Sequence, residues 1–142
     1  MSHLQQQSES VCESVCKEYI LDVRIIEYRD SETDDVWYRF EAPEHRGESF
    51  DDIESAELYA AVYFDVNGFQ EKGTGDRGVP PEIIQAGKDT LAAYFLTQPT
   101  TDIDWTASFY GKKPHRIKDY ISWVQERAEK IRERAKAHNI TE

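Results

Sequence analysis

Five basic side chains lie within seven residues near the C-terminal end of the chain. They are Lys112, Lys113, His115, Arg116 and Lys118. Ammonium and guanidinium groups bind phosphate oxygens, and a histidine ring nitrogen can hydrogen-bond the edge of a base. These residues therefore form a candidate nucleic-acid-binding surface, in which the four cations contact phosphate and His115 contacts a base edge.

The residues around this cluster have the spacing of a helix-turn-helix. Ala107 is the small residue of the first helix, and Gly111 follows four positions later. Ile117 and Tyr120 then lie six and nine positions after the glycine. A small residue lets two helices approach, and glycine can adopt the left-handed conformation that the turn requires. Gly111 and Pro114 are thus expected to set the turn, with the basic cluster at the start of the second helix, where DNA is contacted.

A plain helical hairpin with a solvated basic surface explains the same spacing. Lys112 occupies a place that is usually apolar in the motif, and the second helix is longer than a usual recognition helix. The sequence leaves both interpretations open.

An apolar stripe continues along the last helix with separations of 4, 3, 4, 3 and 4. Its members are Ile117, Ile121, Val124, Ala128, Ile131 and Ala135. This is the a/d pattern of a coiled coil, which predicts an interface for a homodimer or for a partner helix. The alternative is packing within the chain, against the helix predicted over Ile83–Phe95.

Aromatic side chains accompany the lysines in the same segment. They are Trp105, Phe109, Tyr110, Tyr120 and Trp123. Such rings can stack on the bases of a single strand. Their helical spacing favours the other interpretation, in which they belong to the core.

The charge is divided along the chain. Residues 1–104 carry 23 Asp and Glu against 8 Lys and Arg, whereas residues 105–142 carry 5 against 9. The formal net charge of −11 repels nucleic acid and membranes in general. Contact with double-stranded DNA is therefore expected only through the basic C-terminal segment, in a dimer that presents two basic ends.

The sequence contains no motif that predicts catalysis. No serine or cysteine nucleophile lies near a histidine, and neither H-E-x-x-H nor a P-loop is present. The glycine pattern of residues 73–78 lacks a preceding strand, and Pro80 and Pro81 delay the helix that a dinucleotide site needs. Cys12 and Cys16 have only scattered histidines with which to complete a tetrahedral zinc site. We therefore predict a non-enzymatic protein with no catalytic residue, cofactor or metal.

The hydrophobic pattern predicts one α+β domain over residues 1–142. Leu21, Val23 and Ile25 alternate with polar residues, as do further apolar residues after the turn, which predicts an antiparallel β-hairpin over residues 17–41. Residues 1–10 are expected to be disordered. The hairpin should pack on three or four helices within residues 49–142. These include the helix-turn-helix-like segment 101–122 and a long C-terminal helix.

The N-terminus is polar without an apolar core, which predicts a cytoplasmic rather than a secreted protein. No segment has the ~20 apolar residues of a membrane span. The composition, the block Val79–Gly111 and the basic helix after it resemble small acidic haloarchaeal proteins of an uncharacterised family. That resemblance implies adaptation to salt and assigns no activity. Eight lysines against nine arginines are more lysine than extreme halophiles usually show.

Overall fold

The computed structural model describes residues 13–43, 45–69, 79–99 and 101–141. Within these ranges four β-strands precede five α-helices, so the predicted α+β class with a long C-terminal helix is confirmed. The strands are β1 (Glu13–Glu18), β2 (Arg24–Arg29), β3 (Val36–Ala42) and β4 (His45–Phe50). The helices are α1 (Ile53–Asp65), α2 (Pro81–Ala86), α3 (Lys88–Leu96), α4 (Ile103–Tyr110) and α5 (Pro114–Thr141).

The strands form an antiparallel meander in the order β1-β2-β3-β4. The predicted hairpin corresponds to β2 and β3, in which Ile25 pairs with Phe40. The sheet has two further strands because β1 and β4 consist mainly of polar residues and lack the alternation that identifies a strand. Cys16 lies on the exposed strand β1 and is a free thiol. Cys12 and the segment predicted to be disordered lie outside the described residues.

The two turns beside β2 are built differently. In the predicted turn between β2 and β3, the Asp30 carboxylate accepts hydrogen bonds from two backbone amides, and Asp34 is left-handed with φ 66°. The turn between β1 and β2 contains two consecutive left-handed residues, Leu21 (φ 67°) and Asp22 (φ 61°). The sequence pattern had wrongly assigned these residues to a strand, because leucine seldom adopts that conformation.

One face of the sheet packs against α1, and α3 and α5 complete the core. Fully buried side chains of this core include Ile25, Phe40, Tyr59, Val62 and Val124. Burial of an apolar side chain of this size stabilises the fold by about 1.5–3 kcal/mol. The predicted hairpin is therefore held by a helical layer, as an isolated hairpin requires.

Both ends of α1 are set by local backbone geometry. Asp52 caps the start of the helix by accepting a hydrogen bond of 2.8 Å from the Ser55 amide. Asn67 and Gly68 follow the helix in the left-handed conformation.

The helix predicted over Ile83–Phe95 is two helices, α2 and α3. Gly87 separates them with φ 128°, a conformation that excludes a continuous helix. The apolar pattern continued through this position, and glycine inside such a pattern lowers helix propensity without fixing a break. The glycine pattern of residues 73–78 lies outside the described residues.

The apolar stripe of α5 packs inside the chain, against α1, α3 and α4. Ile117, Val124 and Ala128 have no exposed surface, and Ile121 and Ile131 are half-buried against the core. These are the contacts of intramolecular packing, the alternative that the sequence left open. The buried part of the stripe is not on the surface, where a second helix would meet it.

In the described part of the chain, no helix combines the length and the apolar character needed to cross a membrane.

Candidate nucleic-acid interface

Helix α4, which precedes the turn, is fixed at both ends by local hydrogen bonds. Asp102 caps its start by accepting a bond of 2.8 Å from the Trp105 amide. Gly111 ends α4 with φ 64° and ψ 36°, and the Lys112 amide donates to the Ala107 carbonyl at 2.9 Å. Pro114 begins α5 three residues after Gly111, so both turn residues lie where the spacing predicted.

A small core supports this turn from below. Ala107, Ile117 and Tyr120, the spaced residues of the motif, are buried together with Ala92 of α3. Ala92 belongs to the helix predicted over Ile83–Phe95, so its burial with Ile117 is the packing within the chain that the sequence left open. The turn is therefore a rigid feature that three helices hold in place.

The basic cluster lies on the surface of this turn. All five residues, Lys112, Lys113, His115, Arg116 and Lys118, are exposed. Arg116 contacts the Asp119 carboxylate at 3.6 Å, one turn further along α5. Among the described residues, no carboxylate lies within 4.0 Å of the ammonium groups of the three lysines. These ammonium groups are available to an anion.

The aromatic residues of the segment divide into a buried and an exposed group. Tyr120 is buried, but Trp105 (43%), Phe109 (47%) and Trp123 (42%) remain substantially exposed, so the prediction that they belong to the core was wrong for these three. The Trp105 and Phe109 rings stack with their centroids 5.4 Å apart and an interplanar angle of 13°. Helix α4 packs through its small residues, among them Ala107, and its bulky face is left outside.

Tyr110 joins the aromatic residues to the helices below. Burial, followed by the negative charge of nearby Tyr120 and Asp89, raises the pKa of Tyr110 to about 12. Its hydroxyl therefore stays protonated and donates to the Lys88 carbonyl at 3.2 Å.

A second charged cluster, which we call the Arg127 clamp, joins α1, α3 and α5. The Arg127 guanidinium binds both oxygens of Asp65, at 2.8 and 2.9 Å, and one oxygen of Asp89 at 2.9 Å. The Thr90 hydroxyl donates to Asp65 at 2.6 Å. Hydrogen bonds from Arg127 to Asp65 and Asp89, partly opposed by burial, hold the pKa of Arg127 above its usual value. This cluster was not predicted, because Asp65 and Arg127 are 62 positions apart in the chain.

The clamp lines a cleft of about 490 Å³. Its carboxylates Asp65 and Asp89 are engaged by Arg127, and the Asp65 side chain is only 5% exposed. The Asp65 carboxylate accepts hydrogen bonds from Arg127 and Thr90, and the Asp89 carboxylate accepts one from Arg127. The arrangement is suited to holding three helices together rather than to catalysis.

A third charged cluster covers the outer face of the sheet. Arg39 binds Glu41 at 2.9 Å and Glu13 at 3.3 Å, and Arg24 binds Glu41 at 3.2 Å. Burial alone would raise the pKa of Glu41, but hydrogen bonds from Arg39 and Arg24 outweigh it and lower that pKa. The charges of Arg24 and Arg39 are therefore neutralised by Glu13 and Glu41.

Another cleft, of about 400 Å³, lies between the start of α1 and the C-terminal end of α3. Its charged lining residues are Glu48, Asp51 and Asp52, with no basic side chain among the described residues that line it. Such a cleft repels phosphate. Across the described ranges, no three His, Cys, Asp or Glu side chains converge in a way that could hold a metal ion.

In comparisons with known proteins, no family model, curated protein or solved structure matches the chain.

Proposed function

We propose that this chain is a non-enzymatic protein that binds double-stranded DNA through the basic turn of residues 112–118. The observation that supports the proposal is the set of three exposed lysine ammonium groups without a carboxylate partner among the described residues. They project from a turn that Gly111 and Pro114 define and that a small buried core supports. Cations on a rigid support bind phosphate with a smaller loss of conformational freedom than cations on a flexible tail.

The N-terminal end of α5 adds to the attraction for phosphate. A helix N-terminus carries a partial positive charge and backbone amides without intrahelical partners. The first turn of α5 contains no acidic residue, whereas α1, α2, α3 and α4 each carry one there. The lysines and the helix end therefore favour an anion at the same place.

The acidic body restricts how DNA can bind. Residues 1–104 carry an excess of 15 negative charges over positive ones, and they repel a duplex that approaches from any other side. With roughly three to five phosphate contacts, the logarithm of the association constant should fall with the logarithm of salt concentration with a slope of about −2.7 to −4.5. Binding should therefore be detectable at low salt and absent at molar salt.

The test is fluorescence anisotropy of a labelled duplex of random sequence, titrated with the protein from low to molar salt. We expect the variant Lys112→Glu/Lys113→Glu/Arg116→Glu to lose binding. A matched control, Lys130→Glu/Arg134→Glu/Lys136→Glu, changes the net charge equally on exposed positions further along α5. The control should retain most of the affinity.

Two outcomes would contradict the proposal. The protein could fail to bind the duplex even at low salt, or the two triple variants could lose affinity equally. The second result would mean that only the net charge matters and that the turn is not a site.

The alternative function is docking of a partner through the apolar stripe of α5. Most of that stripe packs against the core, so little of it is exposed to a partner. The exposed face of α4 is a better interaction surface, because Trp105 and Phe109 on it keep 43% and 47% of their surface exposed.

A further inference from the structure

The most exposed apolar surface of the C-terminal segment is the outer face of α4. Trp105 and Phe109 are one helical turn apart and keep 43% and 47% of their surface exposed. The Phe95 ring lies edge-on beneath both, at 5.5 Å from Trp105 and 5.3 Å from Phe109. Aromatic residues are enriched at protein interfaces, and an exposed apolar patch with a polar rim marks an interaction site.

The charges at the two ends of α4 have opposite signs. Asp102 and Asp104 lie exposed at its start, and Lys112 and Lys113 lie exposed just beyond its end. Within α4, Trp105 and Phe109 are four residues apart and share one helix face, with Asp102 just before the helix and Lys112 just after its C-cap Gly111. This face is therefore negative at one end, aromatic in the middle and positive at the other end.

We propose that the outer face of α4 binds a second copy of this chain, with the two α4 helices antiparallel about a twofold axis. An axis beside residue 107 would bring Trp105 of one copy onto Phe109 of the other, and Asp102 onto Lys112. Both pairs occur twice, as a self-complementary interface requires. Antiparallel helices also place the positive end of one dipole beside the negative end of the other.

The charge pattern favours a second copy over a nucleic-acid strand on this face. Phosphates running along α4 would meet Lys112 at one end and the Asp102 and Asp104 carboxylates at the other. A second copy reverses the order of charges and meets an opposite charge at both ends. The inference shares Lys112 with the proposed DNA binding, but it also depends on the exposed rings and on the carboxylates at the start of α4, which the DNA proposal does not use.

The interface should be weak, because it consists of one eight-residue helix and its flanking residues. A dissociation constant on the order of 10–100 μM is expected for so small a contact. Sedimentation velocity of the full chain without nucleic acid, from about 1 μM to about 500 μM, covers this range. We expect the wild-type protein to change from monomer to dimer across it.

The first variant removes the aromatic contact. Trp105→Ser/Phe109→Ser should remain monomeric at every concentration, whereas the control Trp123→Ser, which replaces an equally exposed tryptophan on α5, should dimerise like the wild type. A thermal unfolding curve for each variant establishes that it is folded. A double variant that is folded and still dimerises would overturn the proposal.

The second variant tests the antiparallel arrangement and leaves the rings in place. Lys112→Glu should weaken the dimer at least tenfold, since it sets like charges opposite each other twice. Adding Asp102→Asn removes the opposing charge and preserves a good N-cap, so the double variant should regain affinity. Failure to regain it would overturn the proposed orientation.

Two further results separate this inference from the proposed function. In the first, the wild-type chain stays monomeric and the variant Trp105→Ser/Phe109→Ser loses affinity for an oligo(dT) strand. This result would overturn the dimer in favour of base stacking. A chain that dimerises but binds no duplex at low salt would support the dimer and contradict the DNA proposal.

Discussion

The Arg127 clamp and the basic turn use the same kind of side chain in opposite ways. In the clamp, one guanidinium makes three hydrogen bonds of 2.8–2.9 Å to two carboxylates from two other helices. In the turn, three lysine ammonium groups have no carboxylate within 4.0 Å among the described residues, and Arg116 has one at 3.6 Å. Charges that neutralise one another contribute to the fold, whereas charges without partners cost little to keep exposed and remain available for a ligand.

The largest effect expected from this difference is on stability at the clamp. Arg127→Met leaves the 5% exposed Asp65 carboxylate without its cation, and we expect the free energy of unfolding to fall by about 2–3 kcal/mol. The partial exposure of Arg127 keeps the estimate below that of a fully buried pair. Urea unfolding measures the change.

Arg116→Met is the matched control for the clamp, because it removes an arginine that has one exposed partner. Its unfolding free energy should change by less than about 0.5 kcal/mol. Equal effects of the two substitutions would mean that the clamp adds nothing beyond an ordinary surface ion pair.

The two regions also differ in how much of them the sequence revealed. Gly111 and Pro114 were located from spacing alone, because a left-handed residue and a fixed φ are local requirements that glycine and proline meet. The clamp was not foreseen, because its residues come together only when α1, α3 and α5 pack. The residues of the clamp are too far apart in the sequence for a local pattern to indicate that they meet.

The same distinction between local and tertiary causes explains the other differences between the sequence-based predictions and the structure. The alternation of β2 was visible because Ile25 and its neighbours face a core, whereas β1 is exposed along its whole length. The apolar stripe of α5 indicated which face of the helix is apolar, but it did not indicate which elements cover that face. In the same way, the helical spacing of Trp105 and Phe109 could not show that α4 turns its small residues, rather than its bulky ones, toward the core.

A pH-dependent effect tests how firmly the helices beneath the turn are packed. Tyr110 has a pKa raised from 10.0 to about 12, first by burial, so its neutral form is favoured in the folded state. The stability that this contributes is complete below pH 10 and is lost as pH rises toward 12, because the unfolded chain releases the proton first. The urea midpoint should therefore fall across this interval.

Comparison with Tyr19 makes the pH test specific. Its pKa is also raised to about 12 by burial and by Glu57, although the Arg132 guanidinium, 5.0 Å above its ring, opposes the shift. Tyr110→Phe and Tyr19→Phe should each reduce the fall in stability between pH 10 and 12. An unchanged pH profile in Tyr110→Phe would mean that the region below the turn is open to solvent.

The smallest expected effect on stability is at the basic turn itself. Cations at a helix N-terminus oppose the helix dipole, so Lys112, Lys113 and Arg116 stand where acidic residues would favour the start of α5. The triple substitution to glutamate should change the free energy of unfolding by less than about 0.5 kcal/mol, because the gain from the dipole offsets the added negative charge. Loss of DNA binding with unchanged stability would mean that these residues serve recognition. A loss of 2 kcal/mol or more, comparable to that expected for Arg127→Met, would instead make the turn a structural element and remove the contrast with the clamp.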